Sequence, residues 1–346
     1  MPATLHLKNA MRKGAGNMTD KQPLLEIRDL KTYFPYSAGF GKKNKGAVHA
    51  VDGVSLDVFP KETLGLVGES GCGKSTLVRS IICIEQITSG TIRFMGEDIT
   101  KLDKKQLQPM RKNMQLIFQD PYSSLDPRMP VGKIVEEPLL VNGVADPGER
   151  RRRAVDMLAR VGLREYVYNR YAHEFSGGQR QRISIARSLI LMPKLVLCDE
   201  AVSALDVSIQ SQILNLLNDL QLELDLTYVF ISHAMNVIRH VSKRVGVMYL
   251  GRIVELAPTG ELFNHPLHPY TKALLSAIPV PDPQRTATRL VLEGELPSPK
   301  NPPKGCRFHT RCPFCQELCR QEDPAYREVS PGHFAACHFC TQTDRQ

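Results

Sequence analysis

The octapeptide Gly68-Glu-Ser-Gly-Cys-Gly-Lys-Ser75 limits what this chain can fold into more than any other segment. It fits G-x4-G-K-[S/T], follows the short apolar run Leu64 to Val67, and opens a stretch with helical spacing from Lys74 to about Ile84. Its glycines let the backbone curl so that successive N–H groups point inward, and the start of a helix adds positive potential. The product is a cradle for phosphate oxygens. In such a loop the lysine reaches the β- and γ-phosphates and the final hydroxyl ligates Mg2+. Gly68, Glu69, Ser70, Gly71, Cys72, Gly73, Lys74, Ser75 and Thr76 are therefore candidate ATP-binding residues. Chance alone gives this pattern in roughly one chain of this length per hundred at average residue usage, and the strand and helix flanks lower that further.

A second segment completes the chemistry. Leu195-Val-Leu-Cys-Asp199-Glu200 delivers two carboxylates at the end of an apolar strand, where ligands bind in open α/β sheets. Asp199 is expected to hold Mg2+ through water, and Glu200 to polarise the attacking water as general base. An acidic loop after a strand is common by itself; beside a phosphate loop it makes a nucleotide site.

The rest of the pattern gives the fold class. Leu64 to Val67, Met114 to Phe118, Leu195 to Cys198 and Tyr228 to Ile231 are continuous apolar runs, as parallel strands buried on both faces require. Leu24 to Leu30 and Ala50 to Val58 alternate, which fits a half-buried sheet, and Thr91 to Ile99 reads as a hairpin. Residues 121–171 turn helical with Pro and Gly breaks, and Ile209 to Leu224 has helical spacing. Strand, helix, strand in this order predicts an α/β core. Ten of the 24 prolines lie between Pro258 and Pro303, which forbids a continuous helix there, predicts an extended, wrapped segment and sets a boundary near residue 260.

Bulk properties exclude several classes. With 42% apolar and 23% charged residues the composition is that of an ordinary soluble protein. No apolar run approaches the ~20 residues that span a bilayer, and residues 1–22 lack the apolar core of a signal peptide. The chain is expected on the cytoplasmic side, reaching a membrane through partners. The net charge is +9, of which +3 falls in the tail (Lys8, Arg12, Lys13 and Lys21 against Asp20), and Lys42, Lys43 and Lys45 sit in a Gly-rich loop. No aromatic residues are interleaved with these charges, so no nucleic-acid partner is expected. Arg150 to Arg153 read as a solvated helix face.

Phe175-Ser-Gly-Gly-Gln179 resembles the signature motif of ATP-binding-cassette (ABC) ATPases, with Phe where Leu is commonest. The other motifs of that family follow in its order. Gln119 in FQDP resembles the Q-loop, Ser203-Ala-Leu-Asp206 the D-loop and His233 in ISHA the switch histidine. Phe34, or its neighbour Tyr33, resembles the aromatic that stacks on adenine. The resemblance covers about residues 24–257. It implies a P-loop NTPase core with an antiparallel β subdomain and a helical subdomain at about 120–172, preceded by a tail at 1–23. It also implies that Glu200, His233 and Gln119 serve catalysis, and that Ser75, Gln119 and Asp199 hold Mg2+. Two such cassettes sandwich two ATP molecules head to tail, so Ser176, Gly177, Gly178 and Gln179 would meet the partner's ATP. Two positions depart from the common pattern: Ala234 follows the histidine where many relatives have Asp, and Ala201 follows Glu200 where Pro is frequent. Neither removes a group from the site, so an active ATPase is expected.

Residues 261–283 and the stretch GCRFHTRCP at 305–313 resemble the extension, here 258–346, of oligopeptide and dipeptide importer ATPases. The implied function is to power import of di- or oligopeptides, with nickel or another small solute as the alternative, and a soluble non-transport ABC ATPase behind both. The start LKTYFP and the stretch DPYSSLDPRM resemble the second ATPase subunit of such systems. The implied partners are a sister ATPase (or a second copy of this chain), two transmembrane permease subunits and an extracytoplasmic substrate-binding protein, at the cytoplasmic face of the inner membrane.

Six of the nine cysteines lie in the last 41 residues, which in a cytosolic chain suggests metal rather than disulfides. The resemblance implies a [4Fe-4S] cluster on Cys306, Cys312, Cys319 and Cys337. Spacing offers zinc instead: Cys312-x2-Cys315 and Cys337-x2-Cys340 are separated by 21 residues, close to a zinc ribbon. Cys83 and Cys198 read as small buried hydrophobes, and Cys72, in the phosphate loop, as a thiol open to reagents.

Overall fold

The computed structural model describes residues 22–38, 44–278, 290, 292 and 294–340. Most of the expected N-terminal tail, Lys42 and Lys43, and residues 279–283 of the proline-rich segment lie outside them. In chain order the strands are β1 (Leu25–Ala38), β2 (Asn44–Val58), β3 (Thr63–Val67), β4 (Ser89–Phe94), β5 (Glu97–Asp98), β6 (Met114–Ile117), β7 (Leu195–Asp199), β8 (Thr227–Ile231), β9 (Arg244–Tyr249), β10 (Arg252–Pro258), β11 (Arg327–Ser330) and β12 (His333–Ala335).

Two sheets result. The first is antiparallel with order β2-β1-β4-β5; the second has order β11-β12-β10-β9-β3-β8-β7-β6. In the second, β9, β3, β8, β7 and β6 pair in parallel. Every residue of β3, β7 and β8 is buried, which is why they read as unbroken apolar runs. β3 runs into the phosphate loop and then the helix Lys74–Ile81, which buries Leu77, Val78 and Ile81. That helix ends before Ile84 because Cys83 takes a left-handed φ of 53°.

The helical part is built from Val131–Val141, Pro147–Arg160 and Gly177–Leu189. Asp146 caps the second by accepting from the Gly148 and Glu149 N–H groups, with Pro147 in the first turn. Its Ala154, Met157 and Leu158 are buried and Arg151 and Arg152 are exposed, but Arg150 donates to the Val144 and Ala145 carbonyls and Arg153 to that of Ile190, so only the middle of the basic run is a solvated face.

Beyond residue 258 the chain is not wholly extended. Prolines begin two short helices rather than break them: Pro258 precedes Thr259–Asn264, and Pro269 is the first residue of Pro269–Ser276. The chain then returns to the second sheet, where β12 pairs with β10 through Glu255↔Ala335 and Leu256↔Phe334. The expected boundary near 260 thus falls at the end of β10, and residues on its far side add strands to the same sheet.

Candidate nucleotide site

The phosphate loop is shaped by close backbone approach. Gly73 has φ 104°, and a Cβ there would sit 2.0 Å from the Ala50 carbonyl oxygen; Gly68 has φ 154°, and its Cβ would sit 2.3 Å from the Met248 carbonyl oxygen. Only glycine fits at either point. Lys74 is buried and folds back over the loop, donating to the carbonyls of Gly68 at 2.8 Å and Glu69 at 3.0 Å. Cys72 is 1% exposed and burial pushes its thiol up, so it is not the reactive thiol that its position suggests.

The acidic strand end meets this loop. Ser75 Oγ donates to Asp199 Oδ1 at 2.8 Å. Burial raises the Asp199 carboxyl above its usual range; the Ser75 hydrogen bond and the nearby Arg79 and Lys74 pull it back in part. The next residue, Glu200, takes a left-handed φ of 50°. Its backbone is pinned by Glu200 N–H to Ile231 O at 3.1 Å, and by the Ser203 N–H and hydroxyl donating to Glu200 O at 3.0 and 2.9 Å. Gln119 Nε2 donates to Glu200 Oε2 at 3.0 Å, and His233 Nδ1 lies 3.5 Å from the same oxygen. Lys74, Ser75, Gln119, Asp199, Glu200, Ser203 and His233, drawn from four segments, therefore converge at the strand ends.

The signature segment stands apart within this chain. Ser176 caps the helix Gly177–Leu189: its hydroxyl accepts from Gln179 N–H and its own N–H donates to Gln179 Oε1. Ser176, Gly177 and Gln179 are exposed, whereas Gly178 packs where a Cβ would come 2.5 Å from Ile209. Phe175 is buried, with Arg170 over its ring at 5.0 Å, so the Phe-for-Leu departure keeps an apolar plug. Asp206 caps the helix Val207–Leu224 by accepting from Ile209 N–H.

The two candidate aromatics differ. The Tyr33 ring packs 4.2 Å from His49 and its hydroxyl donates to Asp52, while Phe34 is 36% exposed. Both follow a β-bulge between Thr32 and Tyr33 and, as neighbours on one strand, point to opposite faces of the sheet. Burial would raise the Asp52 carboxyl, but bonds from Tyr33 and Arg307 outweigh it and hold it below its usual range.

Sequence reasoning missed the contacts that bring the C-terminal residues to this site. Arg311 pairs with Glu69, Tyr270 with the Glu69 N–H, and Arg307 with Asp52. It also missed Glu255, fully buried, which accepts from the N–H groups of Leu267 and His268 and pairs with His333 Nε2 at 2.8 Å. No spacing rule links residues so far apart in the chain. A buried acid in the β-pattern of 252–258 was the one available signal.

Cys306, Cys312, Cys319 and Cys337 line one narrow cleft together with Phe308, Phe314 and Phe339. Burial pushes three of these thiols up, to about 12 for Cys306 and about 11 for Cys312 and Cys337. Cys340 is buried with Leu267 and Ala335, and the Cys315 thiol turns to the Gln316 carbonyl. Among the described residues no three His, Cys, Asp or Glu side chains are grouped as a metal ion would need. No described helix is long and apolar enough to cross a membrane.

Comparison with known proteins bears on this geometry. The profile of ABC transporters matches residues 51–203, and that of the oligopeptide/dipeptide transporter C-terminal region matches residues 254–319. The oligopeptide transport ATP-binding protein AppF of Bacillus subtilis (strain 168) is 52% identical over 92% of this chain and 98% of its own length. The chain belongs to the ABC transporter ATP-binding proteins. This cassette is likewise 47% identical to the di/tripeptide transport ATP-binding protein DppF of Pseudomonas aeruginosa (strain UCBPP-PA14), over 93% of this chain and 99% of that one. Its fold matches a dimeric post-hydrolysis state of an ATP-binding cassette bound to ADP and Pi, with TM-score 0.60 and 28% identity over 68% of this chain and 98% of that one. As an ABC cassette, the chain is an ATPase.

Proposed function

We propose that this cassette powers the import of di- or oligopeptides, as the second ATPase subunit of a transporter at the cytoplasmic face of the inner membrane. The observation that carries this is near-end-to-end similarity, C-terminal region included, to proteins named for peptide transport. Two cassettes, this chain and a sister ATPase, enclose two ATP molecules; two permease subunits and an extracytoplasmic substrate-binding protein complete the assembly. Phe34 stacks on adenine, since Tyr33 is already engaged by Asp52 and His49. The phosphate loop residues 68–76 bind ATP, and Ser75, Gln119 and Asp199 serve Mg2+. Glu200 is the general base, assisted by His233 and Gln119. The exposed N-terminus of the signature helix, with Ser176, Gly177, Gly178 and Gln179, meets the partner's γ-phosphate; Ser203 and Asp206 form the D-loop. Uptake of labelled di- and oligopeptides by cells whose only copy of this chain carries Glu200→Gln tests the reading. Peptide uptake should be lost and Ni2+ uptake kept. Retained peptide uptake, in cells lacking other peptide importers, would move the cargo to nickel or another solute.

We propose a [4Fe-4S] cluster on Cys306, Cys312, Cys319 and Cys337: they line one cleft with Phe308, Phe314 and Phe339, although their thiols are not drawn together here as a bound metal would require. Cys315 and Cys340 lie off that cleft, which disfavours zinc on the two C-x2-C pairs. A bound cluster would supply a covalent staple and a one-electron centre. Chain purified without oxygen should hold about four iron and four sulfide per protein, falling to near zero in Cys306→Ser/Cys337→Ser. One zinc per chain and no iron would reverse this assignment.

A further inference from the structure

Two arginines within the segment Cys306 to Cys312 reach back onto the nucleotide site. Arg311 Nη1 donates to Glu69 Oε2 at 2.8 Å, with the Arg311 side chain 9% exposed and that of Glu69 28% exposed. Glu69 is the second residue of the phosphate loop. Its N–H donates to the Tyr270 hydroxyl at 2.9 Å, and its carbonyl accepts from Lys74 Nζ. Tyr270 is itself immobilised, fully buried against Tyr249 at 4.8 Å and Phe308 at 5.4 Å between ring centroids. Residues beyond the cassette's β10 thus hold both the backbone and the carboxylate of Glu69.

A carboxylate in a loop that receives a polyphosphate is an electrostatic problem. Unpaired, it would repel the incoming anion at short range and in a partly dry site. Paired with a buried guanidinium, it is neutralised and its loop is held in the receptive conformation before ATP arrives. Arg307 does similar work on the other flank, donating to Asp52, which in turn accepts from Tyr33 on β1.

We propose that Arg311 and Tyr270 are positioning residues for ATP: by neutralising and orienting Glu69 from outside the cassette, they set the affinity of the phosphate loop. The proposal rests on the reading of residues 68–76 as the ATP cradle, and the controls separate the two. Equilibrium binding of a fluorescent ATP analogue to the full-length chain is the test. Arg311→Ala should weaken binding about tenfold, and Glu69→Gln added to it should restore affinity to within about twofold of wild type, because no charge is left to repel. Tyr270→Phe should weaken binding about threefold by orphaning the Glu69 N–H. Unchanged affinity in Arg311→Ala, or a loss that Glu69→Gln does not rescue, would overturn the proposal, the second result pointing to a packing role alone. Should Arg311→Ala not fold, Arg311→Gln, which keeps a donor near Glu69 but removes the charge, decides: several-fold weaker binding that Glu69→Gln restores supports the charge argument, and unchanged binding overturns it. Lys74→Ala must abolish binding in the same assay; wild-type affinity there would overturn the cradle reading itself, and with it this proposal.

Discussion

Replacing Glu200 by Gln should cut ATP turnover by about 10^2- to 10^3-fold, within the range expected for loss of a general base. The substitution is nearly isosteric. Gln119 still has an oxygen to donate to, and the backbone held by Ile231 and Ser203 is untouched. What disappears is the basicity of the one carboxylate that both Gln119 and His233 approach. ATP binding should survive, so the variant should retain ATP and accumulate as a pair of cassettes, visible as a larger species on a sizing column with ATP and Mg2+ present. Turnover within a few-fold of wild type would remove Glu200 from that role and leave Asp199, which is nearer the phosphate loop, as the next candidate.

The second large effect is on stability. Glu255→Ala should destabilise the chain by about 3 kcal/mol or more. Glu255 lies on β10 with no solvent exposure, and its two oxygens satisfy two backbone N–H groups and the His333 ring. Removing it strands all three donors in a region sealed by Leu267 and Ala335. Loss should concentrate where those donors are. Limited proteolysis should open the 259–340 region first, while residues 22–258 stay resistant for longer. A variant with an unchanged unfolding midpoint and an unchanged digestion pattern would show that water replaces the carboxylate at little cost.

The sequence made the candidate nucleotide site readable because parallel strands buried on both faces leave continuous apolar runs, and the candidate residues sit at their ends. Ser75, Asp199, Glu200, Gln119 and His233 meet where those runs stop. β9 and β10 went unread because each opens on an arginine and β10 carries Glu255 at its centre, charges that break up the apolar runs. Nor could the sequence choose between Tyr33 and Phe34, because a bulge breaks the alternation that would assign their faces. Glu69 and Arg311 stand 242 residues apart, a pairing that only the folded sheet creates. Prolines misled in part: they ruled out one long helix after 258 correctly, yet two of them start short ones.

The addition of β12 to β10 has a consequence for how this protein is made. Residues 252–258 leave the ribosome well before residues 333–335, so the nascent sheet waits with the outer edge of β10 bare. An unpaired edge invites pairing with any other extended chain nearby. Until its own late strand arrives, the half-made sheet carries an open edge that only residues 333–335 are placed to close.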